Sequence, residues 1–312
     1  METSSFYHLY PDNITTSVIV GSWIPENQGL GVVLTPNNLP DDSWNLYSLN
    51  YFDRTPPNVS IVICTLDRPE SLSATLLSLT NQTYKSFEVI LITEKGDLSK
   101  CRDKGLRCAV GSIVSFIDDD VHLPTTWLEG VTQGFGEGVV GVTGPTIIRD
   151  AFRLGRDIFK YKRARKLQDL FFGVSSYPGN LSRVGTPSME SNEESCDFSG
   201  QVDYLECCNM SVKKKEAIEA GGFSHDYTKT SEWCELDLSL RLRKFGSLVF
   251  RQEVRLYHNP SQSGVYKARL DTKHRWDNFA LFQRRWIRPS FKRNLYWVFV
   301  WTYFKLKGHG LL

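Results

Sequence analysis

The sequence lacks the features that place a protein at once among membrane, secreted or nucleic-acid-binding proteins. No apolar run reaches the roughly 18 residues that a membrane-spanning helix needs, and the longest one, 295–306, is aromatic and flanked by Lys and Arg. The formal net charge is only +2, so bulk electrostatics argue against a nucleic-acid partner. The first residues lack the basic and apolar regions of a secretory signal, which favours a cytoplasmic location.

Cysteine is present, but without a recognisable pattern. The seven cysteines are an odd number, so at least one thiol stays unpaired, and their spacing contains neither a regular disulfide framework nor a CxxC pair. Reduced thiols of this kind fit a cytosolic protein.

The order of apolar runs predicts an α/β domain. Residues 1–57 are rich in turn formers and end at Pro56-Pro57, so we interpret them as an N-terminal appendage. Short β-branched runs then alternate with helical patterns from Val59 onward, as in βαβ units with a parallel sheet. We expect strands at 59–64, 87–93 and 112–117 and helices from Pro69 and over 99–110. Ligands bind such sheets at the carboxyl ends of the strands.

Three adjacent carboxylates follow the third predicted strand: Asp118, Asp119 and Asp120. They repel one another, so a fold tolerates them where a cation or solvent neutralises their charge. A solvated turn is the simpler explanation for paired acids. Their place at a strand end favours a hard divalent metal, Mg²⁺ or Mn²⁺, that bridges to phosphate oxygens.

A second acid-bearing segment lies in the other half of the chain. Residues 232–246 are predicted to form a helix with Glu235 in its first turn, where the helix dipole favours the ionised form. An ionised carboxylate could accept a proton from a substrate hydroxyl, although simple N-terminal capping explains a single Glu equally well. His258 follows a further strand-like segment and could offer a neutral imidazole to the same metal.

Five stretches of the chain, in order, resemble the family 2 glycosyltransferases, which have the GT-A fold and transfer sugars from nucleotide sugars with inversion. They are 59–72, 98–106, 116–121, 208–223 and 235–258. The resemblance implies a Rossmann-like sandwich with a mostly parallel central sheet flanked by helices over 58–260. The N-terminal appendage would precede it, and an aromatic, helical tail over 261–312 would follow it.

The resemblance also implies roles for individual residues. Glu235 would be the catalytic base, and Asp120 and His258 would hold Mn²⁺ or Mg²⁺. The donor side would be formed by Thr65, Asp67, Arg68, Glu94, Arg102, Asp118 and Asp119, and the acceptor side by Cys208, Asn209, Trp233 and Cys234.

The implied partners are a nucleotide sugar, with a UDP-sugar favoured, and a glycan or lipid-linked acceptor. The insert at about 151–200 either shapes the acceptor site or is a surface excursion. The tail combines Trp and Tyr with flanking cations, so it could lie at the cytoplasmic face of a membrane or pack on the catalytic domain.

Two other functions compete with transfer of a sugar. A nucleotidyltransferase would need a glycine-rich, basic signature after the first strand, and 64–68 contains no glycine. A non-catalytic scaffold of a glycan-assembly complex is suggested by Glu94 and Cys234, which depart from the family's usual residues. The intact acids and His258 argue against that scaffold.

Overall fold

The computed structural model describes residues 6–10, 31–34, 57–66, 68–93, 95–148, 172, 177–188, 196–260 and 272–308. Within them the chain forms two sheets. The strands of the large sheet are β1 (Phe6–Tyr10), β2 (Gly31–Leu34), β3 (Val59–Cys64), β4 (Phe87–Ile92), β5 (Ile113–Ile117), β7 (Val139–Thr143), β9 (Gly200–Val202), β10 (Asn209–Lys213) and β11 (Ser247–Phe250). The small sheet consists of β6 (Val121–His122), β8 (Thr146–Ile148) and β12 (Leu256–His258).

The helices lie between these strands and after them. They are α1 (Pro69–Thr80), α2 (Leu98–Cys108), α3 (Trp127–Gly134), α4 (Lys214–Glu219), α5 (Cys234–Leu242), α6 (Thr272–Trp286) and α7 (Phe291–Gly308). None of these helices is both long enough and apolar enough to cross a bilayer.

The large sheet has the spatial order β2-β1-β4-β3-β5-β10-β7-β11-β9. Strands β4, β3 and β5 are parallel neighbours, and β11 is parallel to β7. Strand β10 is antiparallel to both β5 and β7, so it separates parallel strands without changing their common direction. The mostly parallel sheet predicted from the sequence is thereby confirmed.

The two faces of the sheet bury different residues of the same strands. On β3, Val62 packs with α2 and α5 on one face, while Ile61 and Ile63 pack with α1 and α3 on the other. This alternation follows from the two-residue period of a strand. Gly105 lets α2 approach β3 closely, since a β-carbon there would lie 2.3 Å from Val62 Cγ1. The close packing of α2 on β3 therefore fixes the position of α2, and this helix places Arg102 near the ends of the strands.

The small sheet connects the two halves of the domain at the strand ends. Strand β12 lies between β6 and β8, and His258 is paired with Val121. Since Val121 directly follows the three aspartates, this register brings His258 beside them.

The C-terminal helices form a pair on the flank of the domain. Helix α7 packs on α6 through an aromatic cluster that contains Phe172, Val184, Phe279, Tyr296, Val300 and Phe304. Helix α6 in turn contacts α5. The tail thus packs on the domain through one of its faces.

Candidate active site at the ends of the parallel strands

The central carboxylate of the acidic triad points into the protein. Asp119 is 3% exposed, and its carboxylate accepts hydrogen bonds from Thr65 Oγ1 at 2.6 Å and Arg68 Nη1 at 2.9 Å. Burial raises the pKa of Asp119 to about 6, with Asp120 adding to the rise, whereas Thr65 and Arg68 lower it. Thr65, Arg68 and Asp119 therefore form the internal support of the triad.

The two outer carboxylates converge with the imidazole of His258. His258 Nε2 lies 2.9 Å from Asp120 Oδ1 and 3.8 Å from Asp118 Oδ2. The backbone of Asn259 donates a hydrogen bond of 2.8 Å to the carbonyl of Asp120, which holds the end of β12 against the triad. Carboxylate oxygens and an imidazole nitrogen are donors that suit Mn²⁺ or Mg²⁺, and the other oxygen of Asp120, Oδ2, is paired with Arg68 Nη1 at 3.1 Å.

A thiol belongs to the same group of side chains. The Sγ of Cys208 lies within 4.8 Å of ligand atoms of both Asp118 and His258, and it contacts Thr146 Oγ1 at 3.8 Å. Cys208 was predicted on the acceptor side, and the structure brings it to the edge of the carboxylate group. Its thiol is a poorer ligand for a hard cation than the oxygens beside it.

Arg102 spans the space between the triad and the start of α5. It is 8% exposed, and its Nη2 lies 3.5 Å from Asp118 Oδ1 while its Nη1 lies 4.0 Å from Cys234 Sγ. Burial lowers the pKa of Arg102, but nearby groups including the carboxylate of Asp118 outweigh it and raise this pKa above its ordinary value. Arg102 therefore provides a fixed positive charge between the acidic triad and the start of α5.

Glu235 lies in the first turn of α5, as predicted, and is half-buried. Burial raises the pKa of this carboxyl, whereas the backbone hydrogen bond at the helix start and the Arg102 cation lower it. A carboxylate with a raised pKa is a stronger proton acceptor than an exposed one.

The loop before α5 adopts an unusual backbone conformation. Lys229, Ser231 and Trp233 have φ angles of 54°, 50° and 70°, in the left-handed region that non-glycine residues rarely occupy. Such residues cost on the order of 1 kcal/mol each and persist where the surroundings hold them. This loop is also why α5 starts at Cys234 rather than at Glu232, where the sequence predicted the helix to begin.

Helix α6 holds this loop through polar side chains near its start. Arg275 Nε pairs with Glu232 Oε1 at 2.7 Å, and His274 Nε2 lies 2.9 Å from Thr230 Oγ1. Asn278 bonds both the backbone N–H and the carbonyl of Thr228 at 3.0 Å. We call these contacts of His274, Arg275 and Asn278 with the loop the clamp of α6. The only sequence signal for the clamp is that these three positions share one helix face.

Aromatic packing completes the support of the loop. Trp233, predicted on the acceptor side, is half-buried, with its ring edge-on to Phe279 at 5.5 Å between centroids. Cys234, from the same predicted set, is fully buried beside Arg102.

Asn209, which the sequence places on the acceptor side, is instead buried in the scaffold. Its Oδ1 accepts a hydrogen bond from Trp127 Nε1 at 3.1 Å, and its Nδ2 donates one to the carbonyl of Val254 at 2.7 Å. With no exposed surface, its amide braces the start of β10 below the site.

Asp103 and Asp237, two further acids within the resembling stretches, are structural. Asp237 accepts hydrogen bonds from Trp286 Nε1 and Arg241 Nη2, both at 2.8 Å. Asp103 accepts one from the backbone N–H of Phe223 at 3.0 Å. Gly222 is needed there, because its φ is 65° and a β-carbon would lie 2.0 Å from Asp103 Oδ1. Asp67 and Glu94, predicted on the donor side, lie outside the described residues.

Comparison with known proteins finds sequence similarity of part of the chain to a glycosyltransferase. No protein-family profile matches the chain. The chain is 26% identical over 121 residues to a protein of Haloferax volcanii, across 30% of this chain and 39% of that protein. That protein is the glucosyl-dolichyl phosphate glucuronosyltransferase. The chain is therefore related in sequence to a glycosyltransferase over a segment that is well under half of that relative's length.

Two solved structures are similar at low identity. One is the mannosyltransferase PcManGT from Pyrobaculum calidifontis in complex with GDP-Man and Mn²⁺, with a TM-score of 0.45, 12% identity and coverage of 82% of this chain and 72% of that one. The other is GalNAc-T7 with UDP, GalNAc and Mn²⁺, with a TM-score of 0.47, 10% identity and coverage of 73% and 51%.

Proposed function

We propose that the protein is a glycosyltransferase that moves a sugar from a nucleotide sugar to an acceptor hydroxyl with inversion. The observation that carries the proposal is the convergence of Asp118, Asp120 and His258 at the strand ends, with Arg102 linking this group to the helix of Glu235. The sequence relationship to a glycosyltransferase supports the same class of reaction.

Asp118, Asp120 and His258 fit a hard divalent cation and would hold Mn²⁺ or Mg²⁺. Such an ion supplies positive charge that stabilises the departing diphosphate. Arg102, fixed beside Asp118, contributes further positive charge to the same region. Thr65 and Arg68 keep the triad in place by binding Asp119.

Glu235 serves as the general base in this proposal. It takes the proton of the acceptor hydroxyl while that oxygen forms a bond to the anomeric carbon. The bond between the anomeric carbon and the diphosphate breaks at the same time, and its electron pair leaves with the nucleotide. Attack opposite the leaving group inverts the anomeric centre and requires no covalent enzyme intermediate.

A donor screen tests the transferase proposal. The purified protein is heated with UDP-, GDP- and dTDP-sugars in the presence of Mn²⁺, Mg²⁺ or EDTA, and donor hydrolysis is followed in parallel. We expect metal-dependent stabilisation by one nucleotide, with UDP favoured, and its loss in Asp120→Ala. A wild-type protein that responds to no donor with either metal would instead support the scaffold function.

The acceptor is proposed to be lipid-linked and reached at a membrane surface through α7. One face of α7 packs on the domain through Tyr296, Val300 and Phe304, while the opposite face exposes Phe291 and Val298 at 82% and 60%. Leu295, Phe299 and Leu306 of the same helix are also exposed. An amphipathic helix with a second, outward apolar face suits insertion into a headgroup region.

The charge of this part of the chain supports an anionic lipid surface as the partner of α7. No Asp or Glu follows Asp277 in the sequence, whereas Lys and Arg recur throughout this part of the chain. The exposed cations on and next to α7 include Arg288, Lys292 and Lys305. Each cation near an anionic leaflet contributes about 1 kcal/mol to binding.

Sedimentation with vesicles tests this membrane contact. The wild-type chain is expected to bind phosphatidylserine-containing vesicles and to be released by salt, and to bind phosphatidylcholine vesicles weakly. The double variant Phe291→Ser/Val298→Ser should lose binding, whereas Tyr177→Ser removes an aromatic that is 59% exposed outside α7 and should keep it. Equal binding by both variants would rule out α7 as the contact.

A further inference from the structure

Several thiols gather behind the site without a role in the proposed transfer. Cys64, Cys207 and Cys234 lie around the guanidinium of Arg102, and the Sγ atoms of Cys207 and Cys234 are within 4.8 Å of each other. Cys207 is 8% exposed and Cys234 is fully buried. Burial raises the pKa of Cys207, so this thiol is protonated at neutral pH unless a cation displaces its proton.

Two of these thiols share a compact group with the proposed base. The Sγ atoms of Cys207 and Cys234 and a carboxylate oxygen of Glu235 all lie within 4.8 Å of one another. A tetrahedral zinc ion with bonds of about 2.3 Å to sulfur needs ligand atoms about 3.8 Å apart. Shifts of about 1 Å or less would therefore bring the three groups into a zinc coordination sphere.

The backbone holds the three ligands in place. Cys234 and Glu235 are consecutive residues at the start of α5, and Cys207 lies just before β10. The segment that leads to Cys207 is tied to α5, since the backbone N–H of Leu205 donates to Ser239 Oγ at 3.1 Å. The ligands thus come from two fixed elements, as a preorganised site requires.

The charges also balance. Two thiolates and one carboxylate carry one more negative charge than a divalent cation neutralises. The guanidinium of Arg102, 4.0 Å from Cys234 Sγ, supplies the remaining positive charge. A buried group of charges is tolerated when it is paired in this way.

We propose that Cys207, Cys234 and Glu235 form a site for a thiophilic divalent cation such as Zn²⁺, and that its occupation inhibits the protein. Binding releases the two thiol protons and engages the carboxylate of Glu235, so this group can no longer accept a proton from the acceptor. The inhibition rests on the proposed transferase function, whereas cation binding at this site does not.

Cobalt absorption tests the site separately from activity. The full chain is first given excess Mg²⁺, which occupies the oxygen-rich Asp118 group, and is then titrated with Co²⁺. Cobalt bound by thiolates gives an intense near-ultraviolet charge-transfer band that oxygen ligands do not give. We expect this band in the wild type, and its loss in Cys207→Ser and Cys234→Ser.

Cys208→Ser is the matched control, because it removes the neighbouring thiol that lies with Asp118 and His258 instead. The band should persist in this variant. Loss of the band in Cys208→Ser alone, its persistence in all three variants or its absence from the wild type would each overturn the proposal. Melting curves identify any variant that fails to fold, and Cys207→Ala then replaces Cys207→Ser.

Zinc inhibition supplies the second readout. For each variant, the transfer rate without Zn²⁺ is divided by the rate with Zn²⁺, both at saturating Mn²⁺. These ratios are then compared with that of the wild type. Removal of one ligand should weaken inhibition by Zn²⁺ by about 100-fold in Cys207→Ser, with little change in Cys208→Ser. If Co²⁺ binds at the thiols but Zn²⁺ does not inhibit transfer, the cation site stands and Glu235 is rejected as the base. If Zn²⁺ inhibits Cys207→Ser as strongly as the wild type, the cation site is rejected.

Discussion

The acids after β5 and the acid at the start of α5 are held in place by different means. Asp118, Asp119 and Asp120 follow a strand in the middle of the sheet, and the guanidinium groups of Arg68 and Arg102 and the imidazole of His258 surround them. Glu235 instead follows a loop with three left-handed residues. That loop keeps its shape through contacts with α6, a helix that comes later in the chain.

The difference indicates how tightly each side is constrained. The sheet fixes the aspartates, because moving them would require breaking the register of β5 with β3 and β10. The position of Glu235 depends on a few polar contacts, such as the pair between Arg275 and Glu232. We therefore expect changes at the triad to abolish function and changes in the clamp to reduce it gradually.

Asp120→Ala should have the largest effect on activity. It removes a carboxylate that would hold the divalent cation and leaves His258 without its 2.9 Å contact. Loss of electrostatic stabilisation of this kind lowers kcat by about a thousandfold. Steady-state rates across a Mn²⁺ titration measure this loss of kcat. Recovery of wild-type rates at high Mn²⁺ would show that Asp120 contributes only to the affinity for the cation.

Glu235→Gln should have the next largest effect. The amide keeps the shape of the side chain but cannot accept the acceptor proton, so kcat should fall by about 10²- to 10⁴-fold. Donor binding, measured by thermal shift, should stay close to wild type, in contrast to Asp120→Ala. Near-normal turnover in Glu235→Gln would assign the base elsewhere.

Arg275→Ala should have an intermediate effect. Without its partner at 2.7 Å, Glu232 no longer fixes the left-handed loop, and Glu235 loses its position relative to the acceptor. Misplacement of about 1 Å can lower kcat/KM by up to about 100-fold. Arg243→Ala is the control, because it removes an ion pair with Asp203 that does not involve the loop before α5. This variant should change the rate little.

The pH profile should show the smallest effect. Because burial raises the pKa of Glu235, the base is protonated and lost at a higher pH than an ordinary Glu, whose pKa is 4.5. The acidic limb of kcat/KM should therefore have its midpoint above that value. The charge of Glu232 contributes to the rise, so Glu232→Gln should move the midpoint to lower pH, and an unchanged midpoint would contradict this assignment.

Local patterns predicted the central strands and the position of the aspartates at a strand end. The apolar runs of β3, β4 and β5 and the aspartates that follow β5 are contiguous in sequence, and a parallel sheet brings strand ends together by its topology. His258 could be placed for the same reason, since it ends a strand. The predicted helix carrying Glu235 also exists, although its start was placed two residues too early.

Contacts that depend on the packing of side chains and helices could not be predicted. The amide of Asn209 is typical of a polar site residue, yet Trp127 and Val254 bind it in the interior. The clamp of α6 on the loop before α5 and the grouping of Cys207 with Cys234 depend on how helices pack. No local periodicity encodes such packing, and the cysteines had no spacing that would have linked them.

The pairing of β6 with β12 has a consequence for the order in which the protein is assembled. Asp120 is synthesised long before His258, and β10 must be inserted beside β5 before the sheet is complete. Contacts of such high sequence separation form slowly and late. A newly made chain would therefore lack His258 beside the aspartates until most of it had left the ribosome, so binding of Mn²⁺ at the proposed site would report completed folding.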